Sequence, residues 1–409
     1  MDGLGSLRGW GRGHGLVRMP AATKGCHPGR QTLPRYGPDA CSESARTAVA
    51  TLRSLLTSHS GLPPDLAAAS GARLNRGPFA ELPMAEVLLP MVQTAALIAA
   101  GQLGLFEALC EGPLAVEALA RRLSSSPRGV RDLAQMLVAS GYLLRSADGS
   151  DAYANAPHTQ RWFTSKGELD YTPGLRWSGL SWELLGGLAD AVRRGGPERM
   201  LWDLMEERPH WGPTFSKYMD AFARHLGPDL VARVELPPGA RRLLDLGGSH
   251  GLHSIAFCQK HPALSAVVVD HASALTHTGA TLAAAGMSGR IELRPGDLRE
   301  EEWGTGYDVV LLLSVIHNHG AADNARVLQR IGQVLRPGGL LVIHEYLADQ
   351  PISPYGAAFQ LALLTETGTQ QWTSQDLRGW LAAAGFGEPA LQKLAPEDKG
   401  TLITATRAG

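Results

Sequence analysis

Two spacings of apolar residues divide the chain into a helical N-terminal part and an alternating C-terminal part. Between Met84 and Leu109 the apolar residues recur at helical spacing and cover almost the whole circumference. A helix this apolar needs burial on several sides. From Arg241 onward, short apolar and often β-branched runs alternate with helical stretches. Such alternation predicts a mostly parallel sheet with helices on both faces, an α/β fold.

The C-terminal elements follow one another at the spacing of strand–helix–strand units. Strands are predicted at Leu243–Leu246, Ala266–Asp270, Ile291–Arg294, Tyr307–Leu313, Leu340–His344, Ala390–Leu394 and Thr401–Thr406. Helices are predicted at His253–Gln259, Ala272–Ala285, Ala322–Leu335 and Ser374–Ala384. Ligands of such sheets bind beyond the carboxyl ends of the strands, so we expect the functional site there.

The region after the apolar N-terminal helix is typical of a winged-helix arrangement. Helices over 113–120 and 128–140 precede a hairpin whose turn is predicted at Asp148–Gly149. The five arginines of residues 114–150 are offset by three acidic residues, which favours a dimerisation module over a DNA-binding one. A winged-helix regulator that senses a small molecule through its α/β domain is the alternative from another functional class.

Changes in residue pattern set the expected domain boundaries. Residues 1–80 contain scattered Gly and Pro and little amphipathic pattern, so we expect a disordered extension. A transit peptide, or a start site assigned too early with initiation near Met19 or Met84, would also explain that segment. The expected domains are a winged-helix dimerisation domain at 81–165, a helical, aromatic-rich linker that supplies the substrate pocket at 166–235, and the α/β domain at 236–409.

Composition narrows the class of protein. With 409 residues and 44% hydrophobic content, the chain can bury a substantial core, and a division into two or three domains is expected. A net charge of -1 offers no overall attraction for nucleic acid or an anionic membrane. The four cysteines form no CxxC pair, so we expect neither a disulfide framework nor a zinc site, and a cytoplasmic location. Without an apolar run of about 18 residues, a soluble protein with no membrane partner is expected.

Acidic residues at the ends of three successive predicted strands indicate a nucleoside. Asp245 opens a glycine-rich turn, where the backbone can approach a ligand closely. Asp270 ends the second strand, where it can bind ribose hydroxyls. Asp297, followed by Leu298, comes after the third strand, where a carboxylate can accept from an adenine amine. The turn lacks the lysine and Ser/Thr of a triphosphate loop, so the ligand is expected to carry a free ribose diol.

Beyond these acids, five segments resemble the class I S-adenosylmethionine-dependent small-molecule O-methyltransferases. They are LLDLGGSHG at 243–251, VVVD at 267–270, GDL at 296–298, IHNH at 316–319 and LRPGGLLVIHEY at 335–346. The resemblance covers about residues 84–406 and implies a Rossmann-like methyltransferase domain, an all-helical or winged-helix dimerisation domain, a homodimer and S-adenosylmethionine as cofactor. The expected cofactor-binding residues are Asp245, Gly247, Gly248, Gly251, Asp270, Asp297, Leu298 and Ser314.

The same resemblance implies that His317 is the general base and that Glu345 flanks it. A phenol has a pKa near 10, so only about 0.1% of it is ionised at pH 7. A positioned imidazole titrates near neutral pH and can take this proton. The expected reaction is methylation of a hydroxyl on an aromatic or polyene secondary metabolite. Candidate substrate-pocket residues are Trp182, Met219, Phe222 and Phe359.

Three departures from the plant members of the family keep alternatives open. Asn318-His319 stands where those members have Asp-Trp, Gln371 stands where they often place a second acid, and Leu313 replaces a lysine. C- or N-methylation, or a non-methylating reaction on the same fold, is therefore the alternative. No metal is expected, because the histidine pairs His250/His253 and His317/His319 have no nearby acid that would complete a ligand set.

Overall fold

The computed structural model describes residues 83–146, 150–349, 354–394 and 399–409. The predicted disordered extension at 1–80 lies outside the described residues, and so does most of the predicted hairpin turn, Asp148–Gly149 included. Among the described residues, no helix is long and apolar enough to cross a membrane, and no cluster of three or more His, Cys, Asp or Glu side chains could hold a metal ion. The cytoplasmic location stays a prediction.

The N-terminal module has the predicted helices and hairpin. Its elements are α1 (Pro83–Leu103), α2 (Leu105–Ala108), β1 (Leu114–Ala115), α3 (Val116–Arg122), α4 (Pro127–Ala139), β2 (Leu143–Arg145) and β3 (Ala152–Asn155). The three strands form an antiparallel sheet in the order β1-β3-β2. The prediction of one helix over Met84–Leu109 was wrong in one respect, because Gly104 adopts a left-handed conformation and separates α1 from α2.

The apolar residues of α1 serve two surfaces. Ala96 and Ala100 are buried in a core shared with α2, α3 and α4, around Phe106, Leu119 and Leu137. A stripe at the start of the same helix is exposed in the single chain, and it consists of Val87 (64%), Leu88 (48%), Met91 (47%) and Val92 (41%). The predicted burial on several sides is therefore only partly met within one chain.

Five helices connect this module to the sheet. They are α5 (Pro157–Trp162), α6 (Thr172–Leu185), α7 (Leu188–Arg194), α8 (Leu201–Glu207) and α9 (Trp211–Arg233). Several of the aromatic residues predicted for this segment form a small core, in which Trp177 packs against Phe215 at a ring-centroid distance of 4.7 Å. The long helix α9 contacts both α6 and the first helix of the α/β domain, so it lies between the two parts of the chain.

The α/β domain is a seven-stranded sheet in the order β6-β5-β4-β7-β8-β10-β9. Its strands are β4 (Arg242–Leu246), β5 (Ser265–Asp270), β6 (Ile291–Pro295), β7 (Tyr307–Leu313), β8 (Leu335–Glu345), β9 (Ala390–Lys393) and β10 (Thr401–Thr406). Strands β4 to β8 pair in parallel, whereas β10 runs antiparallel to β8 and β9. All seven predicted strands are present, and β8 begins five residues earlier than predicted.

Helices lie on both faces of this sheet, because alternate residues of each central strand point to opposite sides. Leu243, Val309 and Leu311 belong to one hydrophobic cluster, and Leu244, Val310 and Leu312 belong to another. The helices are α10 (Leu252–Lys260), α11 (Thr278–Ala284), α12 (Ala321–Val334), α13 (Pro354–Glu366) and α14 (Ser374–Ala383). The prediction of a helix from Ala272 was wrong, because 271–277 forms turns and Thr278 Oγ1 donates to Ser249 O at 2.6 Å, which ties the helix start to the glycine-rich turn.

Candidate active site

The order of the sheet brings the predicted site residues to one edge. Strands β5, β4, β7 and β8 are parallel neighbours, so Asp270, Leu246, Leu313 and Glu345 end side by side. The loops that leave these strands carry the glycine-rich turn and the histidine segment. The order reverses between β4 and β7, which is the place where open α/β sheets bind ligands.

The turn after β4 has a shape that requires glycine. Gly247 has φ 73°, and a Cβ atom there would lie 2.6 Å from Val315 Cγ2. A Cβ at Gly248 would lie 2.5 Å from the Asp245 carboxyl carbon. Any side chain would therefore displace either the neighbouring loop or the buried acid. The turn leads into α10 through Gly251, which also has a positive φ.

Asp245 lies beneath this turn and does not face open space. It is 1% exposed, and Ser254 Oγ donates to its Oδ2 at 2.7 Å. Burial raises the pKa of Asp245 to about 7, with the hydrogen bond from Ser254 acting against that effect. Asp245 therefore supports the turn. Its side chain is too enclosed for the direct ligand contact that the sequence suggested.

Asp270 has the arrangement expected of a diol-binding carboxylate. His271 N donates to its Oδ1 at 2.7 Å, and Ser249 N donates to its Oδ2 at 2.9 Å. Burial raises the pKa of Asp270, while these two backbone hydrogen bonds lower it. Each carboxylate oxygen can accept about two hydrogen bonds. One acceptor position therefore remains on each oxygen, which matches two neighbouring hydroxyls.

Asp297 is engaged by a residue that the sequence reasoning missed. Arg299 Nη2 donates to Asp297 Oδ2 at 2.6 Å, and Arg299 N donates to Oδ1 at 2.8 Å. These hydrogen bonds from Arg299 lower the pKa of Asp297 to about 2, although burial opposes them. The following residue, Leu298, packs against the main core of the sheet. The sequence does place Arg299 only two residues after Asp297, and this spacing could have predicted an ion pair between them.

Ser314 follows β7 in a left-handed conformation, with φ 58°, which is uncommon outside glycine. Its hydroxyl lies 3.0 Å from His344 Nδ1, and His344 Nε2 lies 2.7 Å from Lys399 O. Because a carbonyl only accepts, Nε2 carries the hydrogen and Ser314 donates to Nδ1. Burial lowers the pKa of His344, which keeps the ring neutral. Ser314 is thus held in place by a buried histidine on the next strand.

His317 and Glu345 form the central pair of the site. The His317 Nδ1 atom is 2.9 Å from Glu345 Oε2 and 3.2 Å from Oε1. The histidine side chain is 12% exposed and the glutamate side chain 3%. Burial raises the pKa of Glu345, but the charge and hydrogen bonds of His317 outweigh it, so the pKa lies below its usual value. Glu345 is therefore ionised near neutral pH, and Nδ1 carries the hydrogen.

Aromatic side chains border this pair. Phe359 lies edge-to-face with the His317 ring at a centroid distance of 5.0 Å, and Tyr346 packs on Phe359 at 5.3 Å. A cavity of about 220 Å³ opens nearby and is lined by Tyr171, Tyr218, Phe222, His225, Leu226, Tyr355 and Lys399. Tyr355 belongs to both groups, because it also stacks with Phe359.

Two of the four substrate-pocket predictions fall at this place. Phe222 lines the cavity and Phe359 contacts His317. The structure does not bring Trp182 and Met219 to the cavity lining, and Trp182 is 42% exposed. Helical periodicity explains the exposure of Trp182. Trp177 and Leu180 occupy the buried face of α6, so Trp182 lies on another face. Tyr171 and Tyr218, which also line the cavity, belong to the aromatic-rich segment at 166–235 that was expected to supply the pocket, whereas Tyr355 lies outside that segment.

Comparison with known families places these features in context. A family model for the O-methyltransferase domain matches residues 186–387, and one for the O-methyltransferase dimerisation domain matches residues 85–165. The chain is 30% identical over 326 residues to 3-hydroxy-5-methyl-1-naphthoate 3-O-methyltransferase of Streptomyces sahachiroi, a match that covers 77% of this chain and 92% of that protein. The chain belongs to the class I S-adenosylmethionine-dependent small-molecule O-methyltransferases.

Other members of this methyltransferase family show the breadth of the likeness. An N,N-dimethyltransferase of Streptomyces rimosus is 27% identical, over 66% of this chain and 81% of that protein. The crystal structure of human N-acetylserotonin methyltransferase in complex with S-adenosylmethionine has a TM-score of 0.74 at 21% identity, over 82% of this chain and 99% of that chain. The family resemblance, the fold and the dimerisation domain expected from the sequence are confirmed.

The cofactor of this methyltransferase is S-adenosylmethionine. The residues at the sheet edge fit it, because Asp270 keeps one acceptor position on each carboxylate oxygen for a ribose diol. The turn at Gly247 and Gly248 presents backbone without side chains at the place where a ligand must approach closely.

Proposed function

We propose that this methyltransferase transfers the methyl group to a hydroxyl of an aromatic secondary metabolite, with His317 as the general base. The observation that carries the proposal is the contact of 2.9 Å between His317 Nδ1 and the buried carboxylate of Glu345. A carboxylate only accepts hydrogen bonds, so Nδ1 carries a hydrogen, and in the neutral ring Nε2 is then the nitrogen with the lone pair. That lone pair is the proton acceptor that an aromatic hydroxyl needs.

Glu345 contributes in two ways to this proton transfer. It holds the histidine ring in one tautomer and orientation, as the buried acid of a catalytic triad does. It also stabilises the imidazolium that forms when His317 takes the proton, because the two charges then lie in a site with little water. Removal of the proton by a positioned base accounts for about 10² to 10⁴ in rate.

The proposed cofactor contacts follow the sheet edge. When bound, S-adenosylmethionine supplies an electrophilic methyl group. Asp270 binds the ribose hydroxyls, Asp297 and Leu298 border the adenine, and residues 247–251 with Ser314 border the methionine half. Asp245 supports this turn from below.

An aromatic acceptor is favoured by the side chains around the base. Phe359 contacts the His317 ring and packs in turn on Tyr346 and Tyr355. The adjoining cavity adds Tyr171, Tyr218 and Phe222. Flat aromatic walls bind planar rings through burial and ring contacts. A relative at 30% identity is named for a naphthoate acceptor, which agrees with this interpretation.

A second candidate is an amine acceptor, because one relative is named as an N,N-dimethyltransferase. Incubation of the chain with S-adenosylmethionine and a panel of phenols, naphthols and aromatic amines, with mass detection, tests both. The proposal expects products that gain one CH₂ from the hydroxyl compounds. Products from amines alone would favour the second candidate, and no product from any panel member would overturn the proposed reaction.

We also propose a homodimer built through residues 85–165. The exposed stripe of Val87, Leu88, Met91 and Val92 on α1 continues the apolar surface of the dimerisation module. Light scattering of a chain that lacks residues 1–80 should give a dimer at micromolar concentration. A monodisperse monomer would contradict this assembly.

The absence of a nucleic-acid partner stays a prediction. A mobility-shift assay at near-physiological salt checks it, and specific binding to DNA would favour the regulator alternative.

A further inference from the structure

The end of α13 carries a carboxyl group that the base mechanism does not use. Glu366 is the last residue of the helix and is half-buried. Ser181 Oγ, on α6, donates a hydrogen bond to its Oε1 at 3.3 Å. The nearby motif position at which the sequence analysis looked for a second acid is Gln371, which has no carboxyl group. Glu366 is therefore a half-buried carboxyl group for which the motif predicts no role.

Helical spacing places Glu366 on the face of α13 that borders the site. Tyr355, Phe359 and Glu366 are four and seven residues apart, and these steps return to nearly the same direction around an α-helix. Phe359 contacts the His317 ring, and Tyr355 lines the cavity. At about 1.5 Å per residue, Glu366 lies about 10 Å further along the helix than Phe359. The acceptor side thus has two polar groups at different places, His317 beside Phe359 and Glu366 at the end of α13.

The electrostatics agree with this placement. Burial raises the pKa of Glu366, against the hydrogen bond from Ser181 and the charge of His317. Burial, with smaller contributions from Tyr355, Tyr171 and Glu366, raises the pKa of Tyr218, which lines the cavity. A carboxylate can accept about four hydrogen bonds, and a partly desolvated one is stabilised by each donor it gains. A ligand donor would supply what a single serine hydroxyl does not.

We propose that Glu366 selects acceptors that carry a second hydrogen-bond donor, a hydroxyl or amino group, on a ring remote from the methylated hydroxyl. The inference rests on the proposed O-methyltransferase function. Because Glu366 lies about 10 Å along α13 from Phe359, which contacts His317, the matching acceptor is a fused bicyclic or larger aromatic compound and not a single ring. Glu366 determines specificity, whereas His317 remains the proton acceptor.

Calorimetry with full-length protein saturated with S-adenosylhomocysteine tests the idea without turnover. The probes are 2-naphthol and a set of dihydroxynaphthalenes whose second hydroxyl stands at different positions of the other ring. Wild type should bind at least one diol about 10- to 100-fold more tightly than 2-naphthol, as a hydrogen bond to a charged group provides. Glu366→Leu should abolish this preference, and Glu366→Gln, which keeps a carbonyl acceptor, should retain part of it.

Controls separate specificity from folding. Both variants should bind 2-naphthol and S-adenosylhomocysteine as wild type does, and Glu235→Gln, at an exposed glutamate between α9 and β4, should change nothing. Equal binding of all naphthols by wild type, or equal loss for naphthol and diol in Glu366→Leu, would overturn the proposal. A Glu366-dependent diol preference without methylated product would contradict the proposed reaction instead, so the two failures are distinguishable.

Discussion

The two halves of the active site are built in different ways. The cofactor half consists of residues that end or directly follow parallel strands, so Gly247, Asp270 and Ser314 lie at a single sheet edge. Hydrogen bonds from neighbouring residues hold Asp270 and Ser314 there. The acceptor half is assembled from Tyr171 and from side chains of α9 and α13, and α13 begins more than a hundred residues after α9 ends. The first half is determined by short motifs, and the second depends on how helices pack.

This comparison gives different expectations for variants on each side. Changes at the strand ends should act on cofactor affinity whatever the acceptor is. Changes at the base pair should act on turnover and leave cofactor affinity unchanged.

The largest effect is expected for Glu345→Gln. The amide can donate to His317 Nδ1, which favours the tautomer with hydrogen on Nε2 and removes the base. The turnover number should fall about 10⁴-fold, as for the comparable change in a catalytic triad. Steady-state kinetics measures it, and calorimetry should show S-adenosylhomocysteine affinity within about twofold of wild type. A matching loss of cofactor affinity would show that the two halves are not separable.

Asp270→Ala tests the other half. Two hydrogen bonds to a carboxylate are lost, so the dissociation constant of S-adenosylhomocysteine should rise about 10²-fold or more. Asp270→Asn keeps one acceptor oxygen, so its dissociation constant for S-adenosylhomocysteine should lie between those of Asp270→Ala and wild type. Calorimetry provides both values, and unchanged affinity in Asp270→Ala would mean that this strand end does not hold the ribose.

Asp245 distinguishes a supporting residue from a ligand within the cofactor half. Burial raises the pKa of Asp245 from its usual value of 3.8 to about 7 in the folded protein, so the folded state binds the proton more tightly. The stabilisation is complete at low pH and is lost as pH rises through the folded pKa. Between pH 5 and pH 7 the free energy of unfolding should fall by about 2 kcal/mol more in wild type than in Asp245→Asn.

Urea unfolding at several pH values measures that difference. Asp245→Asn should also alter S-adenosylhomocysteine affinity less than Asp270→Asn does, because Asp245 is enclosed beneath the turn. Parallel pH curves for wild type and Asp245→Asn would contradict the raised pKa.

A smaller effect is expected for Arg299→Ala. The guanidinium is 43% exposed and orients Asp297, so its loss should weaken S-adenosylhomocysteine binding about two- to fivefold. Arg326→Ala removes a comparable exposed pair with Asp323 and should have no effect. A stronger affinity in Arg299→Ala would show that the arginine competes with the cofactor for Asp297.

Residues at strand ends can be predicted from sequence, whereas residues on packed helices cannot. Strand ends can be read from sequence because an apolar run and the residue after it fix a position in the sheet, as for Asp270 and His317. Trp182 lies away from the cavity lining because an aromatic residue on a helix can face any direction, and packing decides which. Tyr355 and Glu366 were missed because their relevance depends on a face of α13 that only the fold orients. The start of α11 at Thr278 depended on a tertiary hydrogen bond to the glycine-rich turn.

The role of His317 as the base is tested most directly by the pH dependence of His317→Ala. At pH 7 the turnover number should fall about 10² to 10⁴-fold while S-adenosylhomocysteine affinity stays unchanged. The loss should shrink as pH approaches the pKa of the acceptor, near 10 for a phenol, because an ionised acceptor needs no base. Full activity at pH 7, or an equal loss at every pH, would contradict the account.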